Sequence, residues 1–340
     1  MNYPTRITQP KRTYTFDYPW AVELAKTQRK VFWLPDEIDP SKDINDLLVT
    51  MNASEKHGTL TVLKLFTLYE LFAGLDYWGD KVVNTFPRPG IQMMANCNSF
   101  FEINIHAVFY NKINQALNLD TDEFYNSYVD DPILKSRMEY IDNIINHEDN
   151  LISVAGFSMV EGVVLYSSFA FLKHFKVNGK NLITNIIAGI NSSVVDENLH
   201  SIGGASIFNT YLNETEQYLN NKKLFTSYRN HIESELRKLS EALVEHETRI
   251  IDMVFEKGEM TGITKKQMVA FVKSRVNHCL KNIGFDPLYK ITYNPIEKWF
   301  YTNINSYKLH DFFVGTGSMY NREWNSSNFK WTVDGKVGPK

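Results

Sequence analysis

Asp196, Glu197 and His200 stand together in the stretch Val194-Val-Asp-Glu-Asn-Leu-His200. A carboxylate and an imidazole three residues apart on a helix share one face, so Glu197 and His200 can reach a single metal ion. One such pair arises by chance in many helices and gains meaning only from partners elsewhere. Di-metal carboxylate bundles draw a Glu-x-x-His pair from each of two helices and a lone carboxylate from each of the other two. The chain offers candidates for every part. Phe101-Glu-Ile-Asn-Ile-His106 contains Glu102 and His106, and Leu65-Phe-Thr-Leu-Tyr-Glu70 ends on Glu70, with Asp76 six residues on. Glu161 stands alone in the apolar run Val154-Ala-Gly-Phe-Ser-Met-Val-Glu161. Taken singly, each is explained as a salt-bridged glutamate or a hydrogen-bonded core histidine. Burying an unpaired carboxylate is costly, however, so acidic residues inside apolar helical patterns are expected to be paired, protonated or metal-bound. Four carboxylates and two imidazoles suit iron or manganese rather than zinc or magnesium. The first pair is one residue too long, Glu-x-x-x-His. That spacing still keeps both side chains on one face, and a π-bulge between them would restore the usual geometry.

The elements that must carry these residues are helical. The pattern predicts a helix over 18–32, ended by Pro35, after an extended arm over 1–18 with two prolines. Leucines recur at three- and four-residue steps from Ser54, fading near Asn84 before the breaker Pro87-Arg-Pro-Gly90. Further helices are expected over 91–117, over 121–149 with an interruption at Asp131-Pro132, and over 150–175, the last apolar all round and therefore buried. Beyond the turn at 177–180, we expect helices over 182–212, from Asn213 to about Glu256, and a last one from Gly262 to about Ile283. Strand signals are short and few, so the fold class is all-α. From about 303 onward the chain is tail-like.

Composition narrows the function classes. The sequence has 36 basic against 39 acidic side chains, a net charge of −3 and no long run of either sign, which argues against an electrostatic nucleic-acid binder. Cys97 and Cys279 are the two cysteines and lie in no CxxC pattern, so a reduced, cytoplasmic setting is expected rather than a disulfide scaffold or thiolate metal site. The first thirty residues carry Arg6, Lys11, Arg12, Asp17 and Glu23 and have no apolar core of a signal peptide. The longest apolar stretch, over 151–172, contains Glu161, so a soluble protein with no membrane partner is expected. No GxxxxGK[ST] phosphate loop occurs.

Several stretches together give the chain a resemblance to the small, radical-generating (β) subunit of class I ribonucleotide reductase, in its bacterial and phage forms. Arg29-Lys-Val-Phe-Trp-Leu-Pro-Asp-Glu-Ile-Asp39 is similar to an early segment of the family, and Glu55-Lys-His57 with Leu63, Lys64 and Glu70 to another. Glu70 stands where the family usually has Asp. Glu102, His106 and Tyr110 match the second-helix motif, Asp196-Glu-Asn-Leu-His200 the fourth, and Asn294-Pro-Ile-Glu-Lys-Trp299 a late one. Asp311-Phe-Phe-Val-Gly-Thr-Gly-Ser-Met-Tyr320 resembles the tail segment. The likeness runs from about Ala21 to Tyr320.

The resemblance implies a ferritin-like helical bundle over 19–302 with a dinuclear carboxylate site, an arm over 1–18 and a C-terminal tail over 303–340 that docks on the large subunit. It implies Glu70, Glu102, His106, Glu161, Glu197 and His200 as metal ligands, with Glu161 bridging or capping the pair. The cofactor would be dinuclear iron, with Mn/Fe or Mn/Mn as alternatives. Tyr110 would carry a stable radical formed with O2. Anchoring the alignment on Glu102 instead would put Phe109 there, and the metal pair would then store the oxidising equivalent. Trp33, Asp196 and Tyr320 would pass the radical to the large subunit, and the chain would form a homodimer. Two alternatives stay open: a stand-alone di-iron oxidase or hydroxylase on the same bundle, and a metal-free or storage bundle.

Overall fold

The computed structural model describes residues 2–177 and 179–305, together with a two-residue antiparallel ladder, Thr332–Val333 against Lys336–Val337. Apart from that ladder and one isolated bridge, the described chain is built of helices and loops. Helix α1, Pro19–Lys30, begins on a proline, whose fixed φ suits the first turn. Helix α2, Ala53–Leu71, runs without a break into a π-helical segment, Phe72–Val82, and a final turn, α3, Val83–Thr85. The next rod has the same plan: α4, Pro89–Phe101, a π-helical segment, Glu102–His106, and α5, Ala107–Ala116. The π-bulge that the Glu102–His106 spacing called for is therefore present between those two residues.

Thr121 caps α6, Asp122–Asp130, by accepting from Phe124 N–H, and Asp131 starts α7, Pro132–Ile145, by accepting from Ile133 and Leu134 N–H. The expected interruption at Asp131-Pro132 falls between these two helices. Helix α8, Asn150–Val163, is buried along its whole length from Leu151, as an apolar circumference requires, and α9, Tyr166–Lys173, extends it. Helix α10, Thr184–Leu219, lies along α8. Its first turn is capped from a distance: Asp46 accepts from Ile183 N–H at 2.9 Å, and buried Asp43 accepts from Ile186 N–H at 2.6 Å. Two carboxylates at a helix N-terminus satisfy orphan donors and suit the helix dipole. Helix α11, Lys222–Val254, and α12, Lys265–Asn282, pack on α8 from the other side.

Two helix expectations differ from the structure. Asn213 opens no helix: it lies inside α10, where an exposed asparagine costs little, and the chain turns instead at Asn220, left-handed at φ +44, with Asn221 capping α11. A further helix, α13, Pro295–Asn305, follows the expected last one. Pro295 takes its first position and Asn294 accepts from Glu297 N–H, so Asn-Pro acts as a start signal there.

Two stretches, Ala53–Thr85 and Asn150–Lys176, are long and apolar enough to cross a membrane. The apolar window of the second is wholly enclosed by the fold, and the first carries Glu70 and the second Glu161 inside the protein. Both read as core helices. Close approach of α5 to α10 depends on Gly189, where a Cβ would lie 2.1 Å from Phe109 Cζ. Gly189→Ala is expected to destabilise the metal-free protein by about 1–3 kcal/mol through overpacking. Thermal unfolding checks this, and an unchanged Tm would show that Phe109 moves aside freely.

Candidate metal centre

Four helical rods deliver the six expected donors to one place. Glu70 comes from the end of α2, Glu102 and His106 from the π segment after α4, Glu161 from α8, and Glu197 and His200 from the middle of α10. All six are at most 1% exposed. Their ligating atoms form two overlapping groups: Glu70, Glu102, His106 and Glu197 in one, and Glu102, Glu161, Glu197 and His200 in the other. Within each group the donor atoms lie within 4.8 Å of one another. Glu102 and Glu197 belong to both. Glu161, expected as a bridging or capping residue, belongs to the His200 group alone. Asp76 is exposed and takes no part.

The two rings present the same nitrogen. His106 Nδ1 lies 3.1 Å from Glu102, 3.3 Å from Glu197 and 3.6 Å from Glu70. His200 Nδ1 lies 2.6 Å from Glu102 and 3.6 Å from Glu197. Behind His106, Nε2 lies 3.0 Å from Asp196 Oδ2, which also accepts Trp33 Nε1–H at 2.9 Å, while Oδ1 accepts from the Gln28 amide at 2.7 Å. A carboxylate behind a ring fixes the tautomer, here Nε2–H, and leaves the Nδ1 lone pair for a cation. The Trp33 and His106 rings stack with centroids 6.3 Å apart.

Tyr110 lies one turn beyond His106, 1% exposed, its ring stacked 4.3 Å from Phe66. Burial, then the charge of Glu70, pushes its phenol well above the usual range. Phe109 points elsewhere and packs edge-on against Trp33 at 5.4 Å. Tyr320 lies outside the described residues. Three contacts had no signal in the sequence. Besides Gln28, the Tyr69 hydroxyl and the Trp78 indole both donate to Glu161, at 3.0 and 2.6 Å. Tyr69 adjoins Glu70 in sequence, but nothing in the pattern turns it toward another helix's carboxylate.

The donor set fits a pair of divalent cations. The oxygens of Glu70 and Glu197 and the His200 ring are buried with no hydrogen-bond partner from outside the cluster, only one another, Glu102 and the His106 ring, an arrangement too costly for ordinary core residues. Oxygen-rich groups with one imidazole each suit iron or manganese. Two dications would also balance four carboxylates. Protons meet that balance in the metal-free protein. Burial, reinforced by Glu102, pushes Glu70 well above the usual carboxyl range, and burial with Glu197 does the same to Glu161. Burial also opposes charge on Glu102 and Glu197. There the neighbouring rings of His106 and His200 outweigh it and hold both carboxyls below their usual range. Burial disfavours the charged rings in turn, but Glu102 and its neighbours raise both His106 and His200 well above ordinary histidine.

A proton held on Glu70, Glu161, His106 or His200 must leave before a cation can take its place, so filling the site is expected to release protons. Apparent metal affinity should rise with pH and be lost as pH falls. Calorimetric titration in buffers of different ionisation enthalpy measures the release; metal uptake without proton release would contradict the arrangement.

With this geometry in hand, the comparisons with known proteins agree among themselves. A family model described as ribonucleotide reductase, small chain, matches residues 11–295. A probable ribonucleoside-diphosphate reductase small subunit of Invertebrate iridescent virus 3 is 24% identical over 336 residues, covering 93% of this chain and 85% of that one. The ribonucleoside-diphosphate reductase subunit beta of Halalkalibacterium halodurans is 26% identical over 315 residues, covering 89% and 86%. Among solved structures, a ribonucleotide reductase R2 subunit from Clostridium botulinum superposes with a TM-score of 0.72 over 86% of this chain and 90% of that one, at 21% identity. That likeness bears on the fold and makes it a ferritin-like bundle. The matched span takes in all six buried donors, Asp196 and Trp33, and the chain belongs to the ribonucleotide reductase small-chain family.

Proposed function

We propose that the chain is the radical-generating subunit of a ribonucleoside-diphosphate reductase. Glu70, Glu102, His106, Glu161, Glu197 and His200 would hold two iron ions, manganese in one or both positions being the alternative. Tyr110 would carry the radical. The observation that carries this reading is the pair of overlapping donor groups, fully buried, with orphaned oxygens and nitrogens facing one another. A redox-active metal pair at these donors supplies, with O2, a one-electron oxidising power that no side chain possesses.

The rest falls to the chain's own residues. Tyr110 gives up one electron and its phenolic proton. Its position beside Glu70 rather than in the Phe109 slot against Trp33 supports it as the oxidised residue. Phe66, Phe109 and Ile105, each at most 2% exposed, keep water from the ring, and exclusion of water prolongs a radical's life. Asp196 holds the His106 Nε2 proton and the Trp33 indole proton on one oxygen. That chain of His106, Asp196 and Trp33 is the inner part of a radical route toward a large subunit, with Tyr320 as its outer station. Residues 19–302 form the helical domain, although α13 continues to Asn305. Residues 303–340 would be the docking tail and 1–18 an arm. Exposed Leu75, Phe100 and Val108, on the rods that carry Glu70 and Glu102, favour a homodimer. The setting would be cytoplasmic.

The test is electron paramagnetic resonance after anaerobic Fe(II) loading and exposure to O2. A tyrosyl signal is expected in the wild type and absent in Tyr110→Phe, with iron content unchanged. A tyrosyl signal that persists in Tyr110→Phe would reject Tyr110 as its site, and a coupled Mn/Fe signal with no tyrosyl would favour the metal pair as the oxidant store. Full ribonucleotide reduction with a large subunit by Trp33→Phe would reject the radical route and favour a stand-alone oxidase.

A further inference from the structure

Glu161 is held unlike the other three glutamates of the two donor groups. Tyr69 Oη–H donates to its Oε2 at 3.0 Å and Trp78 Nε1–H to its Oε1 at 2.6 Å. The oxygens of Glu70, Glu102 and Glu197 face only one another and the two histidine rings, with no donor from outside the donor groups. All three members of the Glu161 cluster are at most 1% exposed, so water cannot replace a lost donor. Packing fixes the donors in turn. The Trp78 indole meets the His200 ring edge-on at 6.0 Å and the Tyr77 ring at 4.9 Å, and Tyr77 stacks 3.6 Å above Phe157. Trp78 belongs to the π-helical segment Phe72–Val82 that continues α2, so one rod supplies Glu70 to the first donor group and both donors to Glu161 of the second.

We infer that Tyr69 and Trp78 are positioning residues that confine Glu161 to the His200 metal position and so make the two positions unequal. This rests on the metal reading above. A carboxylate oxygen has two lone pairs. One on each Glu161 oxygen is taken by a donor, and the other remains for a cation. To bridge, Glu161 would have to rotate and break two charge-assisted hydrogen bonds in a dry interior. Glu70, with no donor from outside the donor groups on either oxygen, lacks that constraint. Ions held here would share Glu102 and Glu197, the carboxylates common to both donor groups, and Glu70 would be the carboxylate without an outside donor. Removing an outer partner of a metal ligand typically costs 10–100-fold in affinity, and here the loss should fall on one position.

The experiment is Mn(II) titration of the full chain, followed by electron paramagnetic resonance, for the wild type, Tyr69→Phe, Trp78→Phe and the double variant. Tyr69→Phe removes only a hydroxyl and guards against a Trp78 variant that fails to fold. Wild type should take up a coupled pair. Each variant should bind its second ion about 10–100-fold more weakly while the Glu70–His106 position keeps its affinity. Between those two concentrations the coupled signal gives way to that of isolated Mn(II), which a general loss of stability would not produce. A double variant with wild-type affinity and coupling overturns the inference, as does equal weakening of both positions. Wild-type protein that binds no Mn(II) overturns the metal reading itself and the inference with it.

Discussion

Four glutamates meet in a volume that water does not reach, and the other features of the bundle core answer to that constraint. Each carboxylate pays for desolvation and for its neighbours' charge, and among the described residues no lysine or arginine forms an ion pair with any of them. Two solutions exist: protons shared among the carboxyls and both histidines, or two divalent cations. Both leave the cluster near neutrality, so the same side chains can stand in either state without rebuilding the fold.

Precision comes from what stands behind the donors. Asp196 turns the Nδ1 lone pair of His106 inward and is itself held by Gln28 of α1 and by Trp33 just beyond it. Asp43 and Asp46 anchor the start of α10, the helix that bears Asp196, Glu197 and His200. The π segments have a related part. By widening one turn, the segment at Glu102–His106 lets a four-residue spacing do the work of a three-residue one, a local departure from α-helix of the kind found at functional sites. Each donor group thus has an indole nearby, Trp33 through Asp196 for one and Trp78 through Glu161 for the other.

Much of this was legible in the sequence because ligand chemistry imposes spacing. Glu197 and His200, Glu102 and His106, and lone acids inside apolar helices are visible as violations of the hydrophobic pattern, and even the π-bulge followed from one residue too many. Contacts between helices leave no such mark. Nothing in Leu-Tyr-Glu70 says that Tyr69 reaches Glu161, and a tryptophan eight residues on looks like core. Whether Glu161 bridges depended on those two donors, so it could not be read beforehand. Asn213 misled for a simpler reason: a residue that favours caps is tolerated in an exposed helix interior, and only the left-handed Asn220 ends α10. Pro295, for which no helix was expected, starts one because Asn294 caps it.

The central claim is that two ions lie between these six side chains and share Glu102 and Glu197. Anomalous diffraction from crystals loaded anaerobically with Fe(II) and measured at the iron absorption edge tests it most directly. Two peaks per chain are predicted, one among Glu70, Glu102, His106 and Glu197 and one among Glu102, Glu161, Glu197 and His200. A single peak, no peak, or a Glu161 carboxylate lying between two peaks would contradict it.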